Sequence, residues 1–211
     1  MVGIIGKKLG MTSIFNAEGD NIACTVVQAG PCVVTQLKNL EGKEGYDAVQ
    51  LSYGERSMKS TPKPLVGHFK KANTTPKLKV AEFRNLRKYP GVELIKLGDI
   101  LTIDIFIEDE WVDITGISKG KGFQGVVKRH GFSGVGGQTH GQHNRERAPG
   151  SVGASSYPSK VVKGMRMGGH MGNKKVKIIN LKIVKIDKEE GLLFLRGPVP
   201  GSKGSYVIIE K

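Results

Sequence analysis

Residues 116–173 read GISKGKGFQGVVKRHGFSGVGGQTHGQHNRERAPGSVGASSYPSKVVKGMRMGGHMGN. The stretch is crowded with glycine and carries nine basic side chains against one acid, Glu146. Only 15 of its 58 positions are apolar. Ordering a backbone costs about 1–2 kcal/mol per residue, so on the order of 60–100 kcal/mol has to be offset over this length. So few apolar side chains cannot supply that, and the charge names a polyanion as the partner that orders the segment. Its one helix-like stretch is 123–130, and Pro149 and Pro158 punctuate the rest, so it interrupts whatever the flanking residues build.

On both sides the chain reads as β-structure. Short β-prone runs at 2–5, 13–15, 22–28, 33–37 and 48–53 are broken by Gly, Asn, Asp or Pro; 176–186, 192–196 and 206–209 resume the pattern. Residues 100–107 and 111–117 read as a hairpin turning at 108–110. Many short strands without alternating long helices indicate an antiparallel β-barrel rather than a βαβ sheet. The expected fold is therefore mostly β. One barrel domain spans 1–211, interrupted by a basic, partly helical insertion at 54–90 and by a long Gly/Lys/Arg-rich loop at 119–173. In the first insertion Pro64 opens a short helix with Leu65, Phe69 and Ala72 on one face. Trp111, Met165, Met167 and Met171 are read as core or gap-filling residues. Cys24 and Cys32, with no CxxC and no third ligand, are read as reduced, packed thiols.

The net charge of +14 is unevenly placed. Residues 54–90 carry ten basic side chains against two acids, whereas 94–113, LIKLGDILTIDIFIEDEWVD, are acidic. That asymmetry predicts one face against a polyanion and another toward water or a basic neighbour. An anionic membrane would also attract such charge, but no amphipathic helix or lipid anchor accompanies it. No run is apolar enough for a signal peptide or a membrane span, so a soluble, unexported chain with no membrane partner is expected.

GKGFQG at 120–125 matches the dinucleotide fingerprint G-x-G-x-x-G, with Glu146 about 20 residues on. The context fails: no long helix follows, and Gly and Pro crowd the interval where a second strand is needed. A P-loop motif is absent. His130, His140, His143 and His170 cluster in the basic segment, but structural zinc wants four ligands including Cys, and both cysteines lie far off. No Ser-His-acid or paired-carboxylate constellation is visible, so no enzyme activity, cofactor, metal or small-molecule substrate is expected. SKGKGFQGVVKRHGF (118–132) carries the nucleic-acid signal: Lys and Arg for phosphates, Gly for close backbone approach, Phe123 or Phe132 to stack on a base. Composition alone also admits an RNA-remodelling or DNA-compacting protein.

GIIGKKLGMTSIF (3–15), ISKGKGFQGVVKRHGF (117–132), APGSVG (148–153), MGGHMGN (167–173) and LLFLRGPVPG (192–201) resemble, in order and over essentially the whole chain, the bacterial form of the large-subunit ribosomal protein three family. The resemblance implies a β-barrel body on the large-subunit surface, with an extension running through the rRNA toward the peptidyl-transferase centre. It implies cytoplasmic ribosomes, binding near the 3′ end of large-subunit rRNA, an early role in assembly, and large-subunit proteins fourteen and nineteen as neighbours. Residues 153–158 would lie near the inner tip. Ala154 stands where some relatives carry a methylated glutamine, so that modification is not expected. Ser159 and Val162 replace a glycine and an aromatic residue found in many relatives, which argues against stacking at Val162. The rRNA-binding candidates are Lys119, Lys121, Phe123, Lys128, Arg129, His130, His140, His143, Arg145, Arg147, Ser151, Lys160, Lys163, Arg166 and His170. A second contact is expected through Arg56, Lys59, Lys63, Lys70 and Lys71.

Overall fold

A computed structural model describes residues 3–16, 18–42, 44–84, 95–137 and 140–211. The chain divides into a body, Met1–Ser118 with Lys175–Lys211, and a second unit, Lys119–Lys174. The strands of the body are β1 (Gly3–Phe15), β2 (Asn21–Ala29), β3 (Cys32–Lys38), β4 (Ala48–Glu55), β5 (Lys77–Arg84), β6 (Ile100–Leu101) and β7 (Trp111–Ile117). The second unit contributes β8 (Phe123–Gln124) and β9 (Gly169–His170). The body then resumes with β10 (Lys175–Asp187), β11 (Leu192–Arg196) and β12 (Tyr206–Glu210). Six strands close an antiparallel barrel in the order β1-β12-β7-β10-β11-β2, and β5-β4-β3-β6 form a separate four-stranded sheet. The mostly β barrel read from the sequence is the observed fold.

Successive residues of a strand point to opposite faces, so one buried face leaves every second residue exposed. Ile4 and Ile5 are both fully buried, which requires β1 to be covered on both sides. The core explains it. Barrel residues Val27, Ile114, Ile183, Leu193, Leu195 and Ile209 form one apolar cluster with Val34, Val49, Leu51 and Phe83 of the four-stranded sheet. The approach is close at Gly3, where a Cβ would overlap the Phe83 ring and the Ile209 carbonyl. Two of the motif segments also meet. The buried ammonium of Lys8 donates to the carbonyls of Val199 (2.6 Å) and Gly201 (3.2 Å), tying GIIGKKLGM to GPVPG.

The structure corrects several expectations. Residues 3–15 are one strand, continuing through a register shift between Lys8 and Gly10, because β12 partners Gly3–Lys7 and β2 partners the strand from Gly6 to Phe15. Residue 2 lies outside the described residues. The hairpin over 100–117 does not form: Ile100 and Leu101 pair with β3, and Ile103–Ile105 is a 3-10 turn. The turn brings Ile103 and Phe106, three residues apart, both into the core; an extended strand would send them to opposite faces. The basic block 54–90 contains a strand, β5, beyond the short helix expected there. It pairs with β4 from Ala48↔Arg84 to Glu55↔Lys77 and places Phe83 in the core. Residues 85–90 of that block lie outside the described residues. Trp111 is 59% exposed, because at the head of β7 the alternation turns Val112 and Ile114 inward instead.

The acidic block is largely neutralised within the body rather than free for a basic neighbour. Lys177 reaches Asp113 (2.9 Å) and Glu210 (3.1 Å), Lys211 reaches Glu110 (3.0 Å), Lys182 reaches Asp109 (2.7 Å) and Lys188 reaches Asp104 (3.6 Å). Partial burial pulls the Asp113 pKa upward, but the Lys177 ammonium and the Asn180 N–H together hold it below its ordinary value. Among the described residues no helix is long and apolar enough to cross a membrane.

Both cysteines are buried and free. The Cys32 thiol donates to the Ile5 carbonyl at 3.4 Å, and burial pushes its pKa up to about 12. The thiolate is the nucleophile, so a soluble thiol reagent at neutral pH is expected to label neither cysteine until the chain unfolds. Rapid stoichiometric labelling of the folded protein would contradict this packing.

Candidate nucleic-acid interface

Strands β7 and β10 pair at Ile117↔Lys175, so the long excursion begins and ends at neighbouring positions of the barrel sheet. Within the second unit the two arms stay together for a few residues. The Lys121 N–H donates to the Met171 carbonyl (2.9 Å), and the Met171 N–H donates to the Gly122 carbonyl (3.0 Å). Phe123 then pairs with His170 and Gln124 with Gly169. Gly172 at φ +74° sits against the Lys119 carbonyl, where a Cβ would overlap it, so the crossing admits only glycine.

Helix α2 (Val126–His130) follows and stops at Gly131, in the left-handed region at φ +74°. Its last residues face the returning arm. The Arg129 guanidinium donates to the Met167 carbonyl at 2.7 Å, and His130 Nε2 lies 3.0 Å from the same oxygen. Arg129 also covers Gly169, where a Cβ would lie 2.6 Å from Nη1. These two half-buried candidates brace the loop. The other thirteen of the fifteen, Lys119, Lys121, Phe123, Lys128, His140, His143, Arg145, Arg147, Ser151, Lys160, Lys163, Arg166 and His170, are exposed.

Val126 is the one buried residue among the described residues of 119–174. That is why Met165 and Met167, expected in a core, are 40% and 39% exposed: there is no core to enter. Among the described residues none of the nine candidate cations, Lys119, Lys121, Lys128, Arg129, Arg145, Arg147, Lys160, Lys163 and Arg166, is in an ion pair, so these nine keep their charge uncompensated. Phe123 is 79% exposed, and its ring edge lies 3.3 Å from where a Cβ on Gly168 would stand. Among the described residues no group of three or more His, Cys, Asp or Glu is placed to hold a metal. The described contacts bring Phe123 to His170 and Arg129 to His130 at the base; the remaining candidates are strung along the loop.

The structure adds one residue that the sequence reading passed over. Tyr157 is 89% exposed, between Ser156 and Pro158. An aromatic next to proline in a core-less basic segment was its available signal.

The second set of basic residues surrounds helix α1 (Lys63–Lys71), which Pro64 opens. Phe69 and Ala72 are buried as expected, but Leu65, in the first turn of the helix, is 41% exposed. His68 Nε2 lies 2.7 Å from Gln50 Oε1, fixing the helix to β4. Lys70 and Lys71 are exposed in the last turn, where the helix dipole favours cations. Lys59 and Lys63 are exposed too, whereas Arg56 donates to the Ser60 carbonyl at 2.8 Å and closes a 3-10 turn.

A family model described as Ribosomal protein L3 matches residues 91–197, which include the whole second unit. Large ribosomal subunit protein uL3 of Salinibacter ruber (strain DSM 13855 / M31) is 52% identical over 210 residues, covering 99% of this chain and 98% of that protein. A closed β-barrel, a charged, core-less loop, and similarity of this extent lead to one conclusion: the chain belongs to the ribosomal protein L3 family.

Proposed function

We propose that the chain is a structural, non-enzymatic constituent of the large ribosomal subunit in the cytoplasm, where it binds large-subunit rRNA through the Lys119–Lys174 unit. The observation that carries this is a basic loop whose nine candidate cations form no ion pair and in which Val126 alone is buried, among the described residues. Membership of the L3 family supports the subunit. Lys119, Lys121, Lys128, Arg145, Arg147, Lys160, Lys163 and Arg166 neutralise phosphates where RNA strands converge, while Arg129 and His130 hold the base of the loop in shape. Glycines let the backbone pass through gaps too narrow for a helix. Because the barrel holds both ends of the loop together, less entropy is lost when it finds its bound path. Ordering and binding occur together, which holds mutually repelling RNA segments in one arrangement. On this reading the site lies near the 3′ end of the rRNA, with the loop directed toward the peptidyl-transferase centre. The chain acts early in assembly, beside large-subunit proteins fourteen and nineteen.

A chemical protection map of large-subunit rRNA with and without the chain tests the proposal. Discrete protected helices are expected, and an unchanged map would overturn it. The α1 face forms a second contact. Replacing Lys70 and Lys71 by Gln is expected to lower the slope of log affinity against log salt by about two, one for each phosphate no longer neutralised. An unchanged slope would remove α1 from the interface.

A further inference from the structure

One place in the loop is uncharged. Between residues 131–135 and 148–150 lies an open cavity of about 360 Å³, within the size range of small-ligand sites. Its walls include Phe132, Ser133, Val135, Ala148 and Pro149, and among the described residues no ionisable side chain lines it. The two walls are held together at Gly134, at φ +71°, which lies so close to the Glu146 carbonyl that a Cβ would overlap it. Behind Phe132 stands His130, with ring centroids 6.1 Å apart, and His130 is itself fixed by the Met167 carbonyl. The aromatic wall is therefore backed rather than loose. Val135 is 44% exposed, so the cavity is open to a partner. Arg145 and Arg147, exposed and in no ion pair among the described residues, immediately precede the second wall in sequence.

A phosphate would choose the arginines and leave this cavity empty. A flat ring with apolar faces and polar edges suits it, because the glycine-rich walls offer backbone groups and Ser133 a hydroxyl. We propose that this cavity receives one unstacked nucleobase of the large-subunit rRNA, stacked on Phe132 and Pro149, with the adjoining phosphates on Arg145 and Arg147. The inference rests on the rRNA-binding reading and deepens it: sequence or shape preference enters here, whereas the basic side chains contribute affinity alone.

The test measures binding of the full chain to a large-subunit rRNA fragment, with base-specific chemical probing. Phe132→Ala is expected to weaken binding by about 5- to 150-fold, the range for loss of one base–aromatic stack, with the salt slope unchanged. One base should become reactive at the same time, and Phe132→Trp should restore both readings. Val135→Trp, at a half-exposed wall, fills the cavity without removing Phe132 and should produce the same loss. If the wild-type chain binds but both variants match it in affinity and base reactivity, the nucleobase site is wrong and rRNA binding stands. A loss accompanied by a lower salt slope means that phosphate contacts were disturbed, and it too overturns the inference. If the wild-type chain fails to bind the fragment, the rRNA reading itself falls.

Discussion

Raising salt from 50 to 200 mM is expected to weaken binding to an rRNA fragment by about 10³–10⁵-fold, the loss associated with 6–10 phosphate contacts on duplex DNA. On the proposed reading the second unit supplies such contacts. Eight of its nine candidate cations are exposed, and none of the nine is tied into an ion pair among the described residues. Each phosphate neutralised releases condensed counterions, and added salt opposes that release. Changing Lys119, Lys121, Lys128, Arg145 and Arg147 to Gln should lower the salt slope by about one per residue, whatever the RNA sequence. The body offers a control. Lys177, Lys182 and Lys211 already hold carboxylates at 2.7–3.1 Å, so their replacement should leave the slope alone. A flat titration with cognate RNA would count decisively against an electrostatic loop.

Removing residues 131–164 and closing the gap with a short glycine linker is expected to leave the body folded while rRNA binding falls steeply. The apolar cluster that holds the body together draws all its members from strands and turns outside the second unit. The deletion therefore exposes none of that core. Unfolding stability should change by less than about 1 kcal/mol, a shift of roughly 2–4 °C in Tm for a chain of this size. Binding is different, because Arg145, Arg147, Lys160 and Lys163 leave with the segment. The salt slope should drop by about four, with Lys119, Lys121, Lys128, Arg166 and α1 sustaining weak residual affinity. Loss of cooperative unfolding in the deletion variant would show that the loop supports the body, contrary to the burial pattern.

Much of the fold was legible because strand formation is partly a local property. Runs such as 22–28 and 192–196 alternate or concentrate β-branched and large apolar residues between Gly, Asn and Pro breaks, and each became a barrel strand. Where reading failed, the deciding partner was remote in sequence. Residues 103–106 look like strand until the core asks for Ile103 and Phe106 on the same side. Likewise β5 reads as a basic tract, KLKVAEFR, until β4 supplies hydrogen bonds and Phe83 finds the underside of β1.

The sequence by itself determined that 116–173 could neither build a core nor shed its charge, because composition and net charge do not depend on how a chain folds. It determined the β character of the flanks for a similar reason: side-chain alternation is written residue by residue. Only the tertiary structure decided which charges remain available. It matched Asp109, Glu110 and Asp113 with lysines brought in by β10 and the C-terminus. It committed Arg129 and His130 to a carbonyl 37–38 residues away, and set Phe132 in an uncharged hollow. Coulombic pairing and hydrogen bonding act over a few ångströms of space, and which groups come that close is settled by the path of the backbone.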